Sequence, residues 1–378
     1  MRVLNVDITV DPVSGGGCAE RTYQISRTLA DCGIACDLLI QDIGLTPQRL
    51  SGLKNVNVEI MPCLLECFYV PRFPANKVRK LIKRADIVHL MGHWEFPDAL
   101  IYPFLRYMEK PYVNCPAGSL MVQGRSRPLK TLYNHIIGNR IVHDANRLIA
   151  ISPNEFSQFD AYGVRREKVI LVPNGINPDD YSYTDEHRFR ERYGIGGHPF
   201  CLFIGRLNPI KGPDLLIEAF GRVAAETPDY HLVLAGPDEG LQDNLQKLVT
   251  RSDLEARVHF TGFLNPAEKS WALHAAEFLA IPSRSEAMSI VVLEAGAAAT
   301  PVMATDQCGL DDIAAHGEAH IVPVSVDGLA RGLRKMMRAG TDLKTMGKKL
   351  NRYVLAGYTW QAAVEQLVTV YREILSEI

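Results

Sequence analysis

Apolar residues in this chain fall in short runs that end in Gly, Asp or Pro, and the runs alternate with stretches whose apolar positions recur every three or four residues. Short runs without polar alternation suit strands buried on both faces, and the intervening period suits helices. The rhythm predicts a parallel α/β architecture. A first strand series is expected at residues 2–10, 36–40, 57–60, 87–90, 111–114, 147–151 and 169–172. A second is expected at 199–204, 231–235, 258–260, 277–281, 301–304 and 320–322. Two series in tandem imply two similar domains, and the turn formers at 173–180 (Pro-Asn-Gly-Ile-Asn-Pro-Asp-Asp) suit a linker. After Thr359 the pattern becomes that of a long amphipathic helix to Leu375.

The length of 378 residues exceeds what one hydrophobic core usually supports, which agrees with two domains. A net charge of −2 provides no global field for nucleic acid, so no nucleic-acid partner is expected. Eight cysteines are scattered without any C-x-x-C, which suits reduced thiols in a cytoplasmic protein. Asn5 and Asp7 interrupt the first apolar run, so it reads as a strand and not a signal peptide. No run of apolar residues is long enough to span a membrane. The basic run Lys77-Val-Arg-Lys-Leu-Ile-Lys-Arg84 reads as a solvated helix face. Peripheral contact with an anionic membrane, through Val78, Leu81 and Ile82, is the alternative.

Candidate chemistry sits in the loops that follow strands, where open α/β sheets bind ligands. Glu286 and Glu294 stand eight apart, one in a loop and one inside the apolar helix that follows. Backbone N–H groups at that helix start can take a diphosphate, and the carboxylates can accept bonds from hydroxyls on either side. A sugar nucleotide has that order of groups. Upstream, Gly205-Arg206-Leu-Asn-Pro-Ile-Lys211-Gly212 follows the first strand of the second series. Arg206 offers a donor fork and Lys211 a point charge for a diphosphate leaving group. Ser14-Gly-Gly-Gly-Cys18 after the first strand lets backbone approach an anion or a partner, with a tight ligand-free turn as the alternative. It is neither a G-x-G-x-x-G fingerprint nor a P-loop, which disfavours nicotinamide and ATP enzymes.

With these motifs the chain resembles the large retaining glycosyltransferase family 4. Supporting strings are Val172-Pro-Asn-Gly-Ile-Asn177, Thr261-Gly-Phe-Leu264, Thr305-Asp-Gln-Cys-Gly309 and Tyr358-Thr-Trp360. The resemblance implies the GT-B fold: two Rossmann-like parallel-sheet domains facing a central cleft, at 1–175 and 176–357, with a helix at 358–378 crossing back to the first. It also implies residue roles. Arg206 and Lys211 would bind the donor diphosphate, Glu286 the transferred sugar, and the amides of Met288, Ser289, Ile290 and Val291 the phosphate end. Glu294 would take the ribose, and backbone at Phe263 and Leu264 would border the base. Gly16 and Gly17 would close over the donor. The expected activity is metal-independent transfer of a hexose-type sugar from a UDP- or GDP-sugar to a glycan or lipid-linked acceptor, without a cofactor. The Asp-x-Asp metal motif of the other main transferase fold is absent.

One departure stands out. Relatives with Pro-His-Gly in a first-domain loop have Cys115-Pro-Ala-Gly118 as counterpart here, so Ala117 replaces a donor-positioning histidine. His93 is expected to reach the cleft in its stead, the alternative being a hydrogen-bonded His89 and a surface His93. Trp94 and Arg125 are further acceptor candidates. A sugar-nucleotide epimerase and a non-catalytic sugar-nucleotide-binding subunit are the competing readings. The expected location is the cytoplasm, with the inner membrane face as an option.

Overall fold

In a computed structural model describing residues 1–122 and 126–378, the chain forms two compact units. One is Met1–Gly175 with Trp360–Ile378, the other Ile176–Thr359.

The first unit is built on a seven-stranded parallel sheet. Its spatial order is Val56–Met61, Ala35–Gln41, Arg2–Val6, Ile87–Leu90, Tyr112–Asn114, Arg147–Ala150 and Val169–Leu171. Arg2–Val6 pairs with Ala35–Gln41 on one side and Ile87–Leu90 on the other, so strand order reverses beside it. The first strand stops at Val6, earlier than its apolar run, because the Asp7 carboxylate accepts from Ile8 N (2.6 Å) and turns the chain.

The glycine run also departs from expectation. It lies inside helix Pro12–Asp31, capped by Asp11 through Ser14 N (2.7 Å), and not in a loop before it. The helix breaks at Gly16 (φ 59°, ψ −138°), a conformation open to a residue without Cβ. The basic run forms helix Ala75–Arg84, with Val78, Leu81 and Ile82 buried in the core. Its apolar side is therefore enclosed in the core, and only its basic side faces outward. Lys77 pairs with Glu59 (2.8 Å) and Arg84 with Asp37 (2.6 Å). A small antiparallel pair, Cys63–Leu65 with Val70–Pro71, has no counterpart in the sequence-based strands. The terminal helix Trp360–Ser376 packs on this unit, where Tyr371 Oη lies 2.6 Å from His89 Nδ1.

The second unit holds a six-stranded parallel sheet in the order Val258–Gly262, His231–Ala235, Phe200–Ile204, Phe278–Ile281, Val302–Thr305 and His320–Val322. Alternate residues of its strands feed two cores. Phe200 and Leu202 join one with Leu279 and Val292, while Cys201 and Phe203 join the other with Phe220 and Leu333. Covering both faces is what makes the central strands of this sheet predominantly apolar. Among the described residues, no helix is long and apolar enough to cross a membrane.

Candidate functional site

Phe200–Ile204 pairs with His231–Ala235 on one side and Phe278–Ile281 on the other, so strand order reverses there too. Loops leaving the C-terminal ends of two such strands lie side by side, and here they are 205–212 and 282–289. Lys211 Nζ approaches Glu286 Oε2 at 2.9 Å, with the two side chains 25% and 8% exposed. The other Glu286 oxygen accepts from Ser283 Oγ. Glu286 N donates to Gln307 O (2.8 Å), and Thr305 Oγ1 donates to Ser283 O (2.5 Å), fixing the carboxylate's loop to the next strand. A cation and a carboxylate seventy-odd residues apart in sequence thus meet through topology.

Arg284 braces the two loops, a role with no motif in the sequence. Its fork donates to both Asp214 oxygens (2.9 and 2.6 Å), Nη1 donates to Pro209 O (2.5 Å), and its backbone N donates to Ile210 O (2.7 Å). The Asp214 partner holds the Arg284 guanidinium above its ordinary pKa. Gly212 adopts φ 70°, and a Cβ there would stand 2.2 Å from Pro282 O. Only glycine lets the loops approach this closely.

Arg206 goes elsewhere. Its Nη1 donates to Glu239 Oε1 (2.7 Å), and Asn208 Nδ2 donates to Glu239 Oε2 (2.6 Å). Asn208 in turn accepts from Lys211 N (3.0 Å), so one hydrogen-bonded chain runs from Arg206 to the backbone of Lys211. Glu239, following the strand His231–Ala235, was not a sequence candidate.

Past Glu286, Met288 and Ser289 lead into helix Ile290–Ala297. Ser289 N donates to Cys308 O (3.3 Å), and no side chain caps the helix start. The first N–H groups of a helix have no acceptor inside it, so those of Ile290 and Val291 remain for a ligand. Glu294 is 5% exposed and ion-paired with Lys269 through Oε1, while its Oε2 is buried without a hydrogen-bond partner. An orphaned carboxylate oxygen is an acceptor in want of a donor. Phe263 is half exposed, and Leu264 is buried in the core, so only its backbone is free to border a ligand.

The first unit treats its candidates differently. His93 is 1% exposed: its ring packs edge-on against Trp94, Tyr133 and Tyr162, and Nε2 meets Asn134 Oδ1 at 3.0 Å. The expectation that it reaches outward fails because this aromatic box encloses it, and burial lowers its pKa to about 4. Trp94 is half buried, with Nε1 donating to Ser119 O. Arg125 lies outside the described residues. Ala117 has φ 48°, and the next residue's N–H donates to the buried Glu155, which also accepts from Ile151 N (2.5 Å).

At this unit's reversal of strand order stand three carboxyls that sequence reading passed over. Asp7 is pushed up to about 7 by burial, offset in part by the Thr22 hydroxyl. Glu95 and Asp98 are raised well above the ordinary range by burial and then by charge on their acidic neighbours. Both Asp98 oxygens are buried without a hydrogen-bond partner.

Comparison with known proteins follows the same two-part plan. Residues 15–180 match the family model described as Glycosyltransferase Family 4, and residues 185–353 match Glycosyl transferases group 1. A D-inositol 3-phosphate glycosyltransferase of Geodermatophilus obscurus is 25% identical over a 416-residue alignment covering 100% of this chain and 90% of that one. D-rhamnosyltransferase WbpZ of Pseudomonas aeruginosa is 28% identical over 278 residues, 72% of this chain and 70% of its own. Among solved structures, Anabaena HepE in complex with UDP and glucose aligns over 100% of both chains at TM-score 0.82 and 20% identity. With its two halves matched in order and its fold shared from end to end, the chain belongs to glycosyltransferase family 4, the group 1 glycosyltransferases of GT-B fold.

Proposed function

We propose that the enzyme transfers a hexose-type sugar, with retention, from a UDP- or GDP-sugar to a glycan or lipid-linked acceptor of cell-envelope or polysaccharide biosynthesis. The Lys211–Glu286 contact at 2.9 Å carries this reading, because it joins a cation for the leaving group to a carboxylate for the sugar. The HepE structures with UDP and with UDP-glucose support a nucleotide-sugar donor.

In the proposed reaction the bond from the anomeric carbon to the diphosphate breaks as the acceptor oxygen bonds to that carbon on the same face. The acceptor's proton passes to the departing diphosphate oxygen. Lys211, Arg206 and the N–H groups of Met288, Ile290 and Val291 stabilise the charge that collects on the diphosphate, that of Ser289 being held by Cys308 O. Two fixed cations and a helix start supply this stabilisation without a metal. Glu286 exchanges Lys211 for a sugar hydroxyl and orients the ring, and Glu294 offers its orphaned oxygen to the ribose. Gly16 and Gly17 are assigned to the donor through the family resemblance.

Calorimetry with UDP and GDP tests the donor half. Lys211→Ala should weaken whichever nucleotide binds, and unchanged affinity would remove the diphosphate role. Proton NMR of the product tests the stereochemistry: an inverted anomeric coupling would sink retention. Persistence of activity in EDTA tests the metal-free reading.

A further inference from the structure

Helix Arg127–Tyr133, the π-helical turn Asn134–Gly138 and helix Asn139–Asp144 run on as one segment of the first unit. Its inner side is accounted for. Tyr133 and Ile137 pack on the core that holds Ile141 and Val142, and Asn134 bonds both His93 and Tyr162. Gly138 is buried against Asn134, where a Cβ would lie 2.5 Å from Oδ1.

The outer side has no such account. Leu129, Leu132 and Ile136 are 52%, 53% and 59% exposed, and spacings of three and four place them in one stripe. A helix that is apolar on two sides calls for a second apolar environment. The charges beside the stripe have one sign. Arg127, Lys130 and Arg140 occupy the segment, and no acidic residue occurs between Ser126 and His143. Lys130 leans over the Trp94 ring (5.5 Å), while Arg127 and Arg140 are exposed. Aliphatic residues rimmed only by cations match an anionic bilayer, which offers hydrocarbon below and phosphate at the rim.

We propose that the outer side of residues 127–140 docks the enzyme on an anionic lipid surface. The assignment stands apart from the identity of donor and acceptor. It moves the membrane contact away from the Lys77–Arg84 run, whose apolar residues are enclosed.

Flotation of the purified full chain with phosphatidylcholine vesicles, alone or mixed with phosphatidylglycerol, tests it. The wild type should float with the mixed vesicles, less so as salt rises, and little with the neutral ones. L132E and I136E should lower partition on the order of tenfold or more at unchanged melting temperature, and the R127E/R140E pair should abolish the preference for anionic lipid. L64E and F68E, at exposed positions of the small antiparallel pair and its turn, should float as wild type. A wild type that ignores mixed vesicles, L132E or I136E variants that float undiminished, or a loss confined to L64E and F68E would each overturn the proposal. So would sedimentation showing self-association that L132E dissolves in a chain indifferent to vesicles.

Discussion

The two sheets reverse strand order beside their central strands, yet the groups placed there are kept in opposite charge states. In the second unit the adjoining loops bring Lys211 to Glu286, and each charge stabilises the other. In the first, Asp7, Glu95 and Asp98 are buried among one another, and burial favours their protonated forms. A protonated carboxyl donates as well as accepts, whereas an ion-paired one only accepts. Topology thus chooses the place for chemistry, and the residues set there choose its charge.

Removing the cation should produce the largest effect. Lys211→Ala is expected to lower kcat/KM by about 10²–10³-fold, the usual scale for one group stabilising a leaving charge. Glu286→Gln should lower kcat by roughly tenfold or more while nucleotide affinity measured by calorimetry stays near wild type. Unchanged turnover would leave Glu286 as a mere partner of Lys211.

Next comes the brace. Arg284→Ala breaks a fork onto Asp214 and a bond to Pro209 O, which should cost about 1–2 kcal/mol in chemical denaturation. It should also lower kcat with Lys211 intact, because the loops lose their register. Wild-type turnover would show that the Lys211–Glu286 contact holds itself.

Proton linkage separates the units. Asp7 has a folded pKa near 7, above its ordinary 3.8, so its contribution is full below the unfolded value and lost as pH rises through 7. In the second unit burial, with His198 and His259 adding, lowers His231 to about 4. Its contribution is full above the ordinary value of 6.5 and lost as pH falls from there towards 4. Melting temperatures across this range should show Asp7→Asn flattening the high-pH limb and His231→Gln the low-pH limb. A reversed assignment would undo the contrast. The smallest effect is expected from Asp98→Asn, about 1 kcal/mol or less by denaturation, since burial already favours the uncharged carboxyl that the amide replaces. A larger loss would mean that Asp98 is ionised.

The thirteen sheet strands were readable because each is a short apolar-rich run, most of them covered on both faces, and this signal is local. Lys211 and Glu286 were readable as candidates because they follow such strands. Their neighbours were not. Arg284, Glu239 and Lys269 acquire their roles from partners remote in sequence, and one more charged residue carries no periodic signal. His93 misled for the same reason: nothing beside it announces that Tyr133 and Tyr162 will close around it. The Gly16 break was missed because Pro12 and Asp11 start the helix before the glycines. The exposed stripe of 129–136 was invisible because a Leu looks alike from sequence whether it faces core or water.

The double occupancy of Glu286 has a consequence for selectivity. At rest one of its oxygens meets Lys211 and the other a serine hydroxyl. An isolated phosphate that drew the ammonium away would strand the carboxylate, and an isolated sugar would strand the ammonium. A sugar joined to its diphosphate relieves both at once. On the proposed function, the resting pair acts as a coincidence detector that favours the intact donor over its separate fragments.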